Sequence, residues 1–132
     1  MIQVNLQCPH CRKSLMDSEN KIDGYAAINV TIVYQNKYGW LRLSSLYGNF
    51  NIESEFPIPI NTLTRFFCPH CGTELISNRL CDECKAPMIP FKIVEGGLVE
   101  VCSRRGCKKS LTEFENLETE LKAFYNAYSS FM

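Results

Sequence analysis

The chain has 132 residues, 45% of them hydrophobic and 21% charged, enough for one small domain or two very small ones with a modest core. Lys+Arg and Asp+Glu both number 14, so the formal net charge is zero and the total does not mark a strongly basic nucleic-acid binder. No stretch reaches the roughly 18 consecutive apolar residues of a membrane span, and the opening MIQVNLQC lacks the features of a secretory signal; a cytoplasmic location without a membrane partner is expected.

Cys8 and Cys11, in Cys-Pro-His-Cys, are the first of four cysteine pairs; Cys68/Cys71, Cys81/Cys84 and Cys102/Cys107 follow. Eight cysteines in a reducing compartment point to metal binding rather than to disulfides. Two cysteines separated by two residues place two sulfurs on one tetrahedral ion, and four thiolates close a site, so all eight residues are expected to ligate two zinc ions. The same motif occurs in thioredoxin-fold oxidoreductases, but that chemistry needs a strand before the motif and a helix starting inside it. Neither copy has that context. His10 and His70 sit in knuckles already supplied with thiolates and read as surface or outer-lying imidazoles rather than ligands.

The 56 residues between the first two pairs lack cysteine and are rich in β-branched and aromatic residues. Ile28, Val30, Ile32 and Tyr34 alternate with Asn29, Thr31 and Gln35, the period of a half-buried strand. Residues 36–39 are expected to turn, residues 40–47 to return, Gly48-Asn49 to form a tight hairpin, and residues 50–56 to make a third strand of an antiparallel meander. Trp40, Tyr38, Tyr47, Phe50 and Arg42 offer stacking faces for single-stranded nucleic acid, although at strand spacing the aromatics read mainly as core. Pro57 and Pro59 lack donors, so residues 57–60 should form an edge or an extended connection into the second knuckle.

From Cys81 to Cys107 the chain reads as knuckle, strand ending near Val94, Glu-Gly-Gly turn, returning strand and knuckle. These residues, with Pro87-Met88 after the first knuckle and the wider Cys102–Cys107 step, resemble the C-terminal zinc ribbons of type IA topoisomerases, members of the zinc-ribbon superfamily. The resemblance covers about 30 residues; it departs in Asp82-Glu83 and in the absence of glycine after Cys84. It implies a ribbon in which Cys81, Cys84, Cys102 and Cys107 share one ion, leaving Cys8, Cys11, Cys68 and Cys71 for the other. Two further pairings stay open: Cys68/Cys71 with Cys81/Cys84, whose spacing suits a compact double knuckle, and a crossed arrangement. Rubredoxin-type iron is the alternative metal, since four thiolates hold iron as readily and knuckles beginning Cys-Pro are shared with that family. Only Cys71-Gly72 supplies the glycine that lets backbone amides turn toward sulfur, which favours zinc.

Arg104, Arg105, Lys108 and Lys109 make the fourth knuckle basic, either as nucleic-acid contacts or as compensation for a doubly negative zinc tetrathiolate. After it the period changes. Ser110 and Glu113 fit a capping box, and Leu111, Phe114, Leu117, Leu121, Phe124 and Tyr128 recur at helical spacing opposite four glutamates. That helix is expected either to cap the sheet or to present its stripe to a second chain as a dimer.

The expected fold is a small metal-stabilised α+β protein, mainly β: a zinc ribbon enlarged by a β-meander insert (1–78), a second ribbon (79–109) and a C-terminal amphipathic helix (110–132). Closed four-cysteine sites leave no open position for hydrolysis. A non-enzymatic binding module or adaptor follows, with nucleic acid or a protein as partner, or else a structural scaffold.

Overall fold

A computed structural model describes residues 3–46, 49, 51–107 and 110–113. These form nine strands: β1 (Leu6–Gln7), β2 (Met16–Ile22), β3 (Tyr25–Tyr34), β4 (Lys37–Leu43), β5 (Ile52–Ser54), β6 (Arg65–Phe67), β7 (Met88–Ile93), β8 (Leu98–Cys102) and β9 (Ser110–Glu113). One antiparallel sheet has the order β2-β3-β4-β5, and the other has β1-β7-β8-β9. No helix occurs among the described residues, and none there is long and apolar enough to cross a membrane.

Strand β3 is the hub of the first sheet. Along one edge β4 pairs with it from Ile28 to Tyr34; the other edge is shared, β2 taking residues 25–28 and β6 residues 31–33. Two-residue hairpins fix the register. Asp23-Gly24 joins β2 to β3 and Gln35-Asn36 joins β3 to β4, and all four residues have positive φ, as a turn matching the right-handed twist of its strands requires. The expected turn at 36–39 is therefore one residue pair too late, for Lys37, Tyr38 and Gly39 already belong to β4. Gly39 serves packing instead: a Cβ there would lie 2.5 Å from Phe56 Cε1, whose ring also stacks on Tyr34 with centroids 6.4 Å apart.

This register decides which aromatics face inward. Ile28, Val30 and Ile32 stand opposite Leu43, Leu41 and Gly39, so Trp40 and Tyr38 point to the other face. Reading Tyr38 and Trp40 as core is thus corrected: Tyr38 is 75% exposed, and Trp40 lies on the outer face under the Arg42 guanidinium, 3.9 Å away. Tyr47, Gly48 and Phe50 lie outside the described residues. The returning strand ends at Leu43, the third strand contracts to Ile52–Ser54, and residues 57–60 lie outside any strand, running into a turn in which Thr62 N–H donates to Pro59 O.

In the second sheet β7 and β8 form the expected ribbon hairpin, closed by Gly96 and Gly97 at φ near 118° and 117°. Strand β1, from the start of the chain, pairs with β7 at its Ile93 end. The two sheets bury one common core, in which Leu6, Ile89, Phe91, Ile93 and Val99 meet Ile28, Val30, Ile32, Leu41 and Phe66. Ser110–Glu113 is a strand paired with β8, not the first turn of a helix, so the capping-box reading is corrected; the remainder of the expected helix, from residue 114, lies outside the described residues.

Candidate metal centres

Three of the four cysteine pairs sit on the same backbone device. In the first, Leu15 N–H donates to Leu6 O, Cys8 N–H to Lys13 O (3.0 Å) and Arg12 N–H to Cys8 O (2.9 Å). In the second, Leu75 N–H donates to Phe66 O, Cys68 N–H to Thr73 O (3.0 Å) and Gly72 N–H to Cys68 O (3.0 Å). The third repeats it with Cys81 N–H to Ala86 O (2.7 Å) and Lys85 N–H to Cys81 O (2.9 Å). Each is a tight turn whose residue after the second cysteine adopts left-handed backbone: Arg12 (φ 62°), Gly72 (φ 73°) and Lys85 (φ 65°). In the first two the turn directs amides at the first sulfur. His10 and Cys11 N–H reach Cys8 Sγ at 3.3 and 3.5 Å, and His70 and Cys71 N–H reach Cys68 Sγ at the same distances. Glycine is thus not needed to turn amides toward sulfur, and the argument that its absence disfavours iron falls away. The fourth pair is wider, with one such contact, Arg104 N–H to Cys102 Sγ, and Gly106 at φ 93° before Cys107.

Of the pairings the sequence left open, the structure brings together Cys8, Cys11, Cys68 and Cys71 in one group and Cys81, Cys84, Cys102 and Cys107 in the other, the sulfurs of each within 4.8 Å of one another. Cys8–Cys71 and Cys11–Cys68 sulfurs are 3.8 and 3.7 Å apart. In the second group the separations are 3.9 Å (Cys81–Cys107), 3.3 Å (Cys84–Cys102) and 3.9 Å (Cys84–Cys107). A tetrahedron with metal–sulfur bonds of about 2.3 Å has sulfur–sulfur edges of about 3.8 Å, so both donor sets fit a single tetrahedral ion. None of the eight cysteines is in a disulfide. Both groups can hold metal ions. Sulfur geometry of this size suits zinc and iron alike.

Within each pair the first cysteine is buried and the second lies nearer the solvent. Burial pushes the Cys68 thiol up to about 12 and raises Cys102 as well. Cys71 is lowered to about 6, chiefly by its hydrogen bond with the Thr73 side chain and then by the Thr73 backbone. Cys84 is lowered to about 6, chiefly by its hydrogen bond with the Ala86 backbone, which outweighs the opposing effect of burial, with Cys102 and Arg104 adding to the lowering. A metal entering the groups therefore displaces a proton from Cys68 or Cys102 while meeting Cys71 or Cys84, whose thiolates form more readily.

Neighbouring side chains tie the halves of each group together. At the first, the exposed His70 ring has Nε2 3.0 Å from Ser14 O on the opposite knuckle, and so carries its proton there. At the second, Arg79 Nε lies 3.0 Å from Glu100 Oε1, an ion pair joining the segment before Cys81 to strand β8, where Glu100 is 1% exposed. Sequence reading missed both residues. Of the basic knuckle, Arg104 is turned inward: Nη1 donates to Asn61 O at 2.9 Å and the guanidinium also acts on Cys84. Lys108 and Lys109 lie outside the described residues.

Comparison with protein-family models, curated proteins and solved structures returns no match, so the ribbon resemblance stands on these residues and their geometry alone.

Proposed function

We propose that this chain is a cytoplasmic zinc-ribbon module, non-enzymatic, in which two zinc tetrathiolates hold a small β framework that presents its surface to a partner macromolecule. One observation carries the reading: two sets of four sulfurs, each at the spacing of a closed tetrahedron. A closed site leaves no position for a substrate or an activated water, which supports scaffolding over catalysis. Elemental analysis of the purified protein is the test. Two zinc atoms per chain and no iron are expected; a red protein with iron would replace the reading by electron transfer.

A protein is favoured over nucleic acid as the partner. The outer face of the first sheet sets Tyr38, Trp40 and Phe67 beside Arg42 and Arg65, which resembles a stacking platform. Both arginines are engaged, however: Arg42 Nε is 3.7 Å from Asp17 and Arg65 Nη2 is 2.9 Å from Glu74. Glu53 stands opposite Arg42 on the same face. Such a mixed surface suits an amphipathic protein contact better than a row of phosphates. Single-stranded DNA or RNA that binds at low salt, weakens with added salt and fails against an Arg104→Ala/Arg105→Ala variant would reverse the choice.

A further inference from the structure

Among the described residues the core between the two sheets is incompletely filled, leaving a cavity of about 170 Å³. Its apolar walls include Ile28, Leu41 and Phe66 of the first sheet and Phe91 and Val99 of the second. The fourth knuckle, Cys102 to Cys107, forms one polar side, and Ser44, Asn51 and Thr64 add polar groups elsewhere on the wall. Protein interiors seldom leave voids much larger than a water molecule, and an apolar cavity of about 150 Å³ accommodates benzene. The space matches one aromatic ring or a chain of about six carbons.

Two features of the polar side are unused by the cysteine group. Ser103 is 5% exposed, yet its Oγ has no hydrogen-bond partner among the described residues, leaving the hydroxyl desolvated without return. Arg105 lines the same cavity, and among the described residues no carboxylate pairs with it. Arg104 differs, being held by Asn61 and Cys84. One unspent cation and one unspent hydroxyl therefore border an apolar space.

We propose that this cavity binds a small amphipathic carboxylate, its apolar tail between the sheets and its carboxylate against Arg105 and the Ser103 hydroxyl. A neutral apolar guest leaves both polar groups unpartnered, and an inorganic anion leaves the apolar walls unfilled. The site rests on the zinc-held fourth knuckle of the proposed function, so metal content is measured in the same samples.

The test titrates the metal-loaded full chain with hexanoate, with hexanol and hexylamine as controls, following backbone amide shifts and thermal midpoint. Hexanoate is expected to bind saturably with both metals retained, about tenfold tighter than hexanol, and hexylamine more weakly than either. Arg105→Gln should abolish the preference for hexanoate while sparing hexanol. Ser103→Ala should leave the free protein's midpoint unchanged or higher, since it breaks no bond, yet weaken hexanoate. Val101→Phe, or Ile52→Phe from the opposite wall if the first does not fold, should exclude both ligands. No saturable shift in the millimolar range, equal binding of the three probes, indifference to Arg105→Gln, or a shift that appears only as metal is lost each overturns the proposal. Hexanoate binding to a folded protein found to hold no zinc would overturn the metal reading alone.

Discussion

The two cysteine groups reach nearly the same sulfur geometry by different routes. The first joins two copies of one knuckle across 57 to 63 residues of chain; the second joins a narrow and a wide knuckle across 18 to 26 residues, on either side of the β7–β8 hairpin. Distance along the chain thus does not fix donor positions, as expected when closure entropy grows only logarithmically with loop length. The surroundings differ more than the centres. An imidazole on a carbonyl bridges the first group, whereas an ion pair with a buried carboxylate braces the second, which also walls a cavity.

The largest test of this contrast is removal of a ligand. If the ions are zinc, as proposed, each structural site contributes on the order of 10–16 kcal/mol, comparable to or above the typical net stability of about 5–15 kcal/mol. Cys68→Ser and Cys102→Ser should each lose the ordered fold and both metals, because one core spans the two sheets. Circular dichroism with metal analysis checks this; a variant retaining one metal and part of its signal would divide the molecule into independent halves. Next comes Glu100→Gln, expected to cost about 2–3 kcal/mol in denaturant midpoint, below the full penalty of a broken buried pair because Arg79 is half exposed. The double variant Arg79→Leu/Glu100→Leu should recover most of that loss. Smaller still, His70→Ala should cost about 0.5 kcal/mol, at the low end for a hydrogen bond from an exposed ring, and should leave metal affinity at the second group unchanged.

The smallest expected effects distinguish the knuckles themselves. Arg12→Gly and Lys85→Gly relieve left-handed strain of about 1–2 kcal/mol but add chain entropy of about 0.5–1 kcal/mol, for a net gain of about 0.5 kcal/mol. Gly72→Ala should act in the opposite direction by about 1 kcal/mol, with nothing nearby for its methyl to strike. Thermal midpoints of metal-loaded proteins give the signs; equal signs would show that the three turns are not equivalent.

Much of this was legible. The alternation of Ile28, Val30 and Ile32 located β3, and the knuckles and glycine turn located the ribbon, because apolar period and ligand spacing are local signals. Strand β2 was not visible because MDSENKI buries only Ile22 and so shows no alternation, although Asp23-Gly24 was a usable hairpin signal. Strand β6 has three residues and is specified by its pairing with β3. Gly39 was misread as a turn residue because the ring it accommodates, Phe56, is distant in sequence. Once the Gln35-Asn36 turn is set, the inward phase of Leu41 and Leu43 forces Trp40 outward, a deduction available from those leucines. The cavity had no sequence signature, since missing volume belongs to no residue.

The long span of the first group also has a consequence in time. During synthesis, Cys8 and Cys11 emerge first, and their partners lie about 57 residues downstream. At about 5–20 residues per second, that knuckle remains a two-thiolate half-site for roughly 3–11 s. The second group closes over a much shorter loop, at the price of only a brief half-formed interval. Metal uptake on refolding of the intact chain should therefore show two phases, the faster assigned to the group containing Cys102, with the first group's assembly governing how long reactive sulfur is exposed.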